Sequence, residues 1–264
     1  MGYDVDFHGH LVRESARFAD AVQQAPPDAR VPSCPDWTAD DLLWHLGEVQ
    51  YFWGTVVLEK LDGEDAQKRT PARPGDRAAL LEFYQRTSHR LIESLAGASP
   101  QTPAWTWSDD QTVGFIVRRQ AHEALIHRLD AELTAGARTA IDLQLADDGV
   151  DETLRVMYAG VPEWGAFAPE LDRTVRVRAE DTGRTWLVTL GRFTGTDPGG
   201  KSYDEPDIHI AAADTGAAAA AEIHGAASDL DCWLWHRPAI GPVTRTGDPG
   251  VLRGFDEAIK SGID

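Results

Sequence analysis

Cysteine is scarce in this chain of 264 residues: only Cys34 and Cys232 occur, far apart and outside any CxxC pair. That argues against a disulfide framework and leaves reduced thiols as the default. Positive charge is also in short supply, with 25 Lys and Arg against 43 Asp and Glu and a net charge of −18. Nucleic-acid binding is thereby disfavoured, because it depends on clustered cations that displace counterions, and so is adhesion to an anionic membrane surface. No apolar run approaches the roughly 18 to 20 residues that a bilayer-spanning helix needs. The stretch Met1 to Asp20 is charged and amphipathic rather than signal-like, so a cytoplasmic location is expected.

What remains is the composition of a protein with a packed core: 42% hydrophobic and 26% charged residues. The length suits two domains. Apolar residues recur at helical spacing over Phe7 to Gln24, ended by Pro26-Pro27, and over Ala39 to Leu58, entered through Thr38 with Asp41 three residues on as a capping-box variant. The same spacing covers Arg77 to Leu95 and Thr112 to Ala135, the latter stopped by Gly136. Val31 to Asp36, Asp62 to Gly75 and Gly97 to Asp110 read as connecting loops. Four such helices suit an up-and-down bundle.

Beyond residue 140 the pattern changes. Leu145 to Ala159 reads as a helix; Thr174 to Ala179, Thr185 to Leu190 and Asp207 to Ala212 read as strands. Gly191 to Pro206 reads as a loop, Ala-rich Ala217 to His236 as a helix, and Val251 to Ile259 as a short last one. The expected class is α+β: a four-helix bundle over residues 1–142, then a smaller α/β domain over residues 143–264.

Two helices carry candidate chemistry. In Gln120-Ala121-His122-Glu123-Ala124-Leu125-Ile126-His127, Glu123 and His127 are four apart, about 40° around a helix axis, beside the apolar stripe of Ile126, Leu129 and Leu133. His45 in Leu42-Leu43-Trp44-His45-Leu46-Gly47 falls on the core-facing side of its helix. A buried imidazole without a partner costs about 1–3 kcal/mol, so it needs a hydrogen bond or a metal. Two His and one carboxylate match a catalytic zinc site with an open fourth position, and they suit iron as well. Spacing alone leaves a solvated helix contact and a hydrogen-bonded core histidine as alternatives.

The stretch Val31-Pro32-Ser33-Cys34-Pro35-Asp36-Trp37-Thr38, continued by Asp41-Leu42-Leu43-Trp44-His45-Leu46-Gly47, resembles the N-terminal signature of the mycothiol-dependent maleylpyruvate isomerase family. Arg119 to Ala131 resembles its second signature, and Asp229 to Arg237 the helix end of its smaller C-terminal domain. The resemblance implies a DinB-like bundle, zinc held by His45, Glu123 and His127, and mycothiol as thiol cofactor. It carries the family's functional arginine, a catalytic and cofactor-binding group, onto Arg237, where His236 replaces an expected small residue.

A zinc ion would make a coordinated thiol a thiolate near neutral pH. Adding to an activated double bond and leaving after rotation gives an isomerase; adding and staying gives an S-transferase. The expected partners are a small electrophile, such as a maleylpyruvate-like compound, and a low-molecular-weight thiol. The alternatives are a zinc hydrolase using metal-bound water and a non-catalytic small-molecule binding protein. Arg237 could instead be a helix-end arginine facing solvent. His122 is turned about 100° from Glu123 and stays outside the ligand set. Asp130 either orients a ligand or decorates the helix, Trp44 and Trp53 read as packing residues, and Cys34 as a structural thiol.

Overall fold

The computed structural model describes residues 5–212, 216 and 218–260, in two compact units, Met1–Ile141 and Asp142–Asp264. In the first, α1 (Phe7–Gln24) begins where Asp6 accepts from the Gly9 amide at 2.8 Å. A short antiparallel pair, β1 (Arg30–Val31) and β2 (Cys34–Thr38), follows. The loop expected over Val31 to Asp36 is therefore partly extended, its prolines placed in a two-stranded ribbon that needs few ladder bonds.

Thr38 then opens α2 (Ala39–Glu59) through a complete capping box: its hydroxyl accepts from the Asp41 amide, and the Asp41 carboxylate accepts from the Thr38 amide at 2.8 Å. Such a cap contributes about 1 kcal/mol. A single turn, α3 (Gly63–Gln67), lies within the expected loop; α4 (Arg77–Ala96) and α5 (Val113–Ala135) complete the unit. Helix α5 is entered through Thr112 and closed by Gly136 at φ 73°, a left-handed conformation that glycine adopts without penalty. Helix α1 packs along α5 and α2 along α4. One apolar cluster ties these helices together through Phe18, Val22, Leu42, Leu46, Leu80 and Tyr84. Each such leucine, fully buried, is worth about 1.5–3 kcal/mol.

The second unit starts with α6 (Leu143–Glu152), which continues as a π-helical stretch over Thr153–Tyr158. The strands are β3 (Gly165–Ala179), β4 (Thr185–Thr196), β5 (Ser202–Ile210), β6 (Ala221–Gly225) and β7 (Thr244–Gly247). They form one sheet in the order β5-β4-β3-β6-β7, parallel between β3 and β6 and antiparallel elsewhere. Helix α7 (Ala227–Leu234) packs on β6, and α8 (Pro249–Ala258) crosses the sheet.

Two expectations for this unit fail. Gly191 to Pro206 is mostly strand, because β4 runs to Thr196 and β5 begins at Ser202. Glycine there is not a breaker: a Cβ on Gly191 would meet the Ala168 carbonyl oxygen at 2.3 Å and the Phe167 ring at 2.5 Å, so the residue admits the neighbouring strand. The helix expected over Ala217 to His236, whose first residue lies outside the described ones, is instead β6 followed by the shorter α7. Alanine favours helix locally, but Ala221, Ile223 and Gly225 are buried in strict alternation and pair with β3, so tertiary pairing overrides propensity. The expected strand Asp207 to Ala212 ends at Ile210. No helix among the described residues is long and apolar enough to cross a membrane.

Candidate metal centre

Every residue of α5 from Arg119 to Glu132 is buried. This corrects the expected placement of Glu123 and His127 at the edge of an apolar stripe: the helix is enclosed all round, so its polar side chains must find partners inside the protein. They do so in a chain. Arg119 donates from Nη2 to Glu123 Oε2 at 2.6 Å. Glu123 Oε1 faces His127 Nε2 at 3.1 Å, and His127 Nδ1 faces Asp130 Oδ2 at 3.1 Å. Ser33, in the β1–β2 turn, donates to the other oxygen of Asp130. Further along, Arg128 donates to Glu14 of α1 at 2.7 Å and to Glu132 at 2.8 Å, fixing α5 against α1.

His45 comes from α2. Its ring is not wholly inside, as its side chain keeps 26% of its exposure, but Nε2 is buried and points at Glu123 Oε1 from 3.6 Å. That is too long for a hydrogen bond, and Nε2 has no other hydrogen-bond partner among the described residues. Trp37 of β2 lies against this ring with centroids 4.6 Å apart and reaches His127 at 6.3 Å. The two imidazoles meet edge to face at 4.8 Å.

These three residues each offer one ligand atom, and the atoms lie within 4.8 Å of one another. Two ligands on a tetrahedral zinc at 2.0–2.1 Å are about 3.3 Å apart, a spacing bracketed by the 3.1 Å and 3.6 Å separations. The lone buried Nε2 of His45 is the atom that a cation would satisfy. The electrostatics agree. Burial alone would keep Glu123 neutral, but the Arg119 charge and the His127 contact outweigh it and hold the carboxyl well below the usual range. Burial would likewise lower the His127 pKa, yet hydrogen bonds to Asp130 and Glu123 lift it to about 9. The cleft favours positive charge between its carboxylates, and zinc, iron or another divalent ion suits this mixed N/O set.

Asp130 is fully buried and bonded to His127, which excludes the surface reading of that residue. Arg119 and Trp37 were not legible as site residues. The Arg119–Glu123 spacing of four was a signal for the first; nothing in the linear order places Trp37 over His45. Trp44 stacks on Phe83 at 5.1 Å, and Trp53 on Trp105 at 6.1 Å. Cys34 is a half-buried residue of β2.

Arg237 belongs to the second unit and is 5% exposed, which overturns its alternative reading as a solvent-facing arginine. Its amide donates to the Cys232 carbonyl at 2.7 Å and that of His236 to the Trp233 carbonyl at 3.0 Å, the paired bonds of a Schellman end. His236 takes the left-handed position, with φ 57°, where a small residue is favoured. The Arg237 guanidinium donates from Nη1 to the Trp235 carbonyl at 2.7 Å.

Residues 8–132 match the sequence family described as the mycothiol maleylpyruvate isomerase N-terminal domain. Two solved structures share the fold: the crystal structure of the mycothiol-dependent maleylpyruvate isomerase and that of a point mutant of it. Each has a TM-score of 0.57 and 12% identity over 93% of this chain and 95% of its own. No curated protein sequence matches this chain.

Proposed function

We propose that the chain, whose residues 8–132 match the mycothiol maleylpyruvate isomerase N-terminal domain family, is a metal-dependent, thiol-using enzyme, an isomerase or S-transferase for a small electrophile such as a maleylpyruvate-like compound. The observation that carries this reading is the convergence of His45, Glu123 and His127, from α2 and α5, with a buried imidazole nitrogen facing a carboxylate.

His45, Glu123 and His127 would hold the ion, zinc being the choice that best suits two imidazoles, one carboxylate and a free position. When bound, the metal supplies a Lewis acid that makes a coordinated thiol such as mycothiol a nucleophile, whose reversible addition to an activated double bond isomerises it and whose retention is a transfer. Asp130 holds the proton on His127 Nδ1 and so presents Nε2 to the site. Arg119 occupies Glu123 Oε2 and so leaves Oε1 facing the two imidazoles. The Trp37 ring shields His45 from water on one side. Arg237, with a planar fork that matches carboxylates, is the candidate for holding a substrate or thiol carboxylate.

Elemental analysis beside a His45→Ala variant tests the centre: one metal per chain is expected in the parent and a loss in the variant, and equal content in both would remove His45 from it. Calorimetric titration of the zinc-loaded protein with mycothiol tests the thiol; absence of binding overturns that part. Turnover that persists without any thiol would point to hydrolysis.

A further inference from the structure

Gln120 stands apart from its neighbours on α5. It is 1% exposed, and neither Oε1 nor Nε2 has a hydrogen-bond partner among the described residues. Gln50 of α2, also buried, at least donates from Nε2 to the Ser15 hydroxyl at 3.0 Å. Leaving a whole carboxamide unpaired inside a protein is costly, and an apolar residue of the same size would avoid the penalty. Its place on the helix suggests why it is tolerated. Three residues before Glu123 and seven before His127, it lies about 60° and 20° from them around the axis, and about 4.5 Å along it from Glu123. It is thus the next residue on the face that carries both ligands.

We propose that Gln120 is a ligand-binding residue of the metal centre that pairs with an amide group carried by the bound thiol. This rests on the thiol reading given above. The class of group follows from the unpaired atoms. A carboxamide has an acceptor and a donor on one plane; a carboxylate would answer only the donor and a carbonyl without N–H likewise, whereas another amide answers both. The spacing is also suitable. In a thiol whose amide lies two carbons from sulfur, the two groups are on the order of 4–5 Å apart, close to the axial step between Glu123 and Gln120. His45, a quarter exposed, is the open side of the triad.

The test compares three small thiols on the zinc-loaded, full-length protein by calorimetry: N-acetylcysteamine, which carries the amide; 2-mercaptoethanol, which lacks it; and 3-mercaptopropionate, with a carboxylate instead. In the parent protein N-acetylcysteamine is expected to bind about tenfold more tightly than the other two. Gln120→Met, of similar size, should abolish that preference while leaving 2-mercaptoethanol binding within about twofold and zinc content unchanged. Without ligand, the variant should melt a few degrees higher, since unpaired polar atoms have been removed; a merely structural amide would give a lower melting temperature. Equal affinities for the three thiols in the parent overturn the proposal even if the variant fails to fold. Equal weakening of all three by the substitution does so as well. If no thiol binds the parent, the thiol reading fails and takes this inference with it.

Discussion

His127 is held from both ends, and the two ends do different work. At Nε2 the Glu123 oxygen shares the space that a metal would fill; at Nδ1 Asp130 accepts a hydrogen bond and is itself anchored by the Ser33 hydroxyl. The buried Asp130 charge therefore fixes which nitrogen is free and adds negative potential to the site. Both effects favour cation binding, so their loss has one sign. Asp130→Asn is expected to weaken zinc binding about 10- to 100-fold in a chelator competition, and Ser33→Ala by less, since the carboxylate keeps its charge. An unchanged zinc affinity in Asp130→Asn would mean that contact with Trp37, rather than the carboxylate, sets the imidazole.

At the scale of elements, the ends of helices place the functional side chains. Helix α2 carries His45 less than two turns from its capping box. Burial opposes ionisation of Asp41, but hydrogen bonds from Thr38 and the contact with Arg73 prevail and take its pKa to about 2 from the usual 3.8. A carboxyl depressed on folding stabilises fully above its unfolded pKa and loses that contribution as pH falls through its folded one. Asp41→Asn should thus cost about 1 kcal/mol at pH 7, discounted for solvent screening. In urea titrations the difference between parent and variant should shrink steadily below about pH 4; a gap constant from pH 7 to pH 2.5 would contradict the assignment.

The other informative end is that of α7. His236 holds the left-handed position of the Schellman end, and the next residue is Arg237. A non-glycine residue there costs roughly 1 kcal/mol. His236→Gly is expected to stabilise the protein by about 0.5–1 kcal/mol in thermal or urea unfolding; destabilisation would mean that the imidazole makes contacts worth more than the backbone strain.

These elements also show what was readable in the chain. Periodicity and caps located α1, α2, α4 and α5 almost to the residue, because Thr38, Pro26 and Gly136 act locally. The three proposed ligands were named from two motifs on two helices, and they lie together. Burial of α5 on all sides was hidden, since Arg119, Glu123, Arg128 and Glu132 read as solvated polar residues until the buried pairs they form, with one another and with Glu14 of α1, are known. The extent of β4, β5 and β6 was hidden for a related reason: Gly191 and the alanines before Ile223 have the local preferences of a loop and a helix, and only pairing with β3 decides between these and strand.

For the whole molecule, the distribution of the proposed ligands is the consequential fact. His45, Glu123 and His127 all fall within Met1–Ile141, which has its own apolar cluster and buried ion-pair network. Arg237 falls within Asp142–Asp264. Metal binding and the carboxylate contact proposed for Arg237 should therefore separate on truncation. A fragment of residues 1–141 is expected to fold, to retain one zinc per chain with an affinity within about tenfold of the full chain, and to gain thermal stability from zinc. Mass action gives about 2.7 kcal/mol at a free zinc concentration one hundred times the dissociation constant. The same fragment should lose turnover of a carboxylate-bearing electrophile, and Arg237→Lys in the full chain should reproduce that loss with zinc content intact. A folded fragment without zinc would show that the three ligands are insufficient. Full turnover by the fragment would remove Arg237 from the reaction.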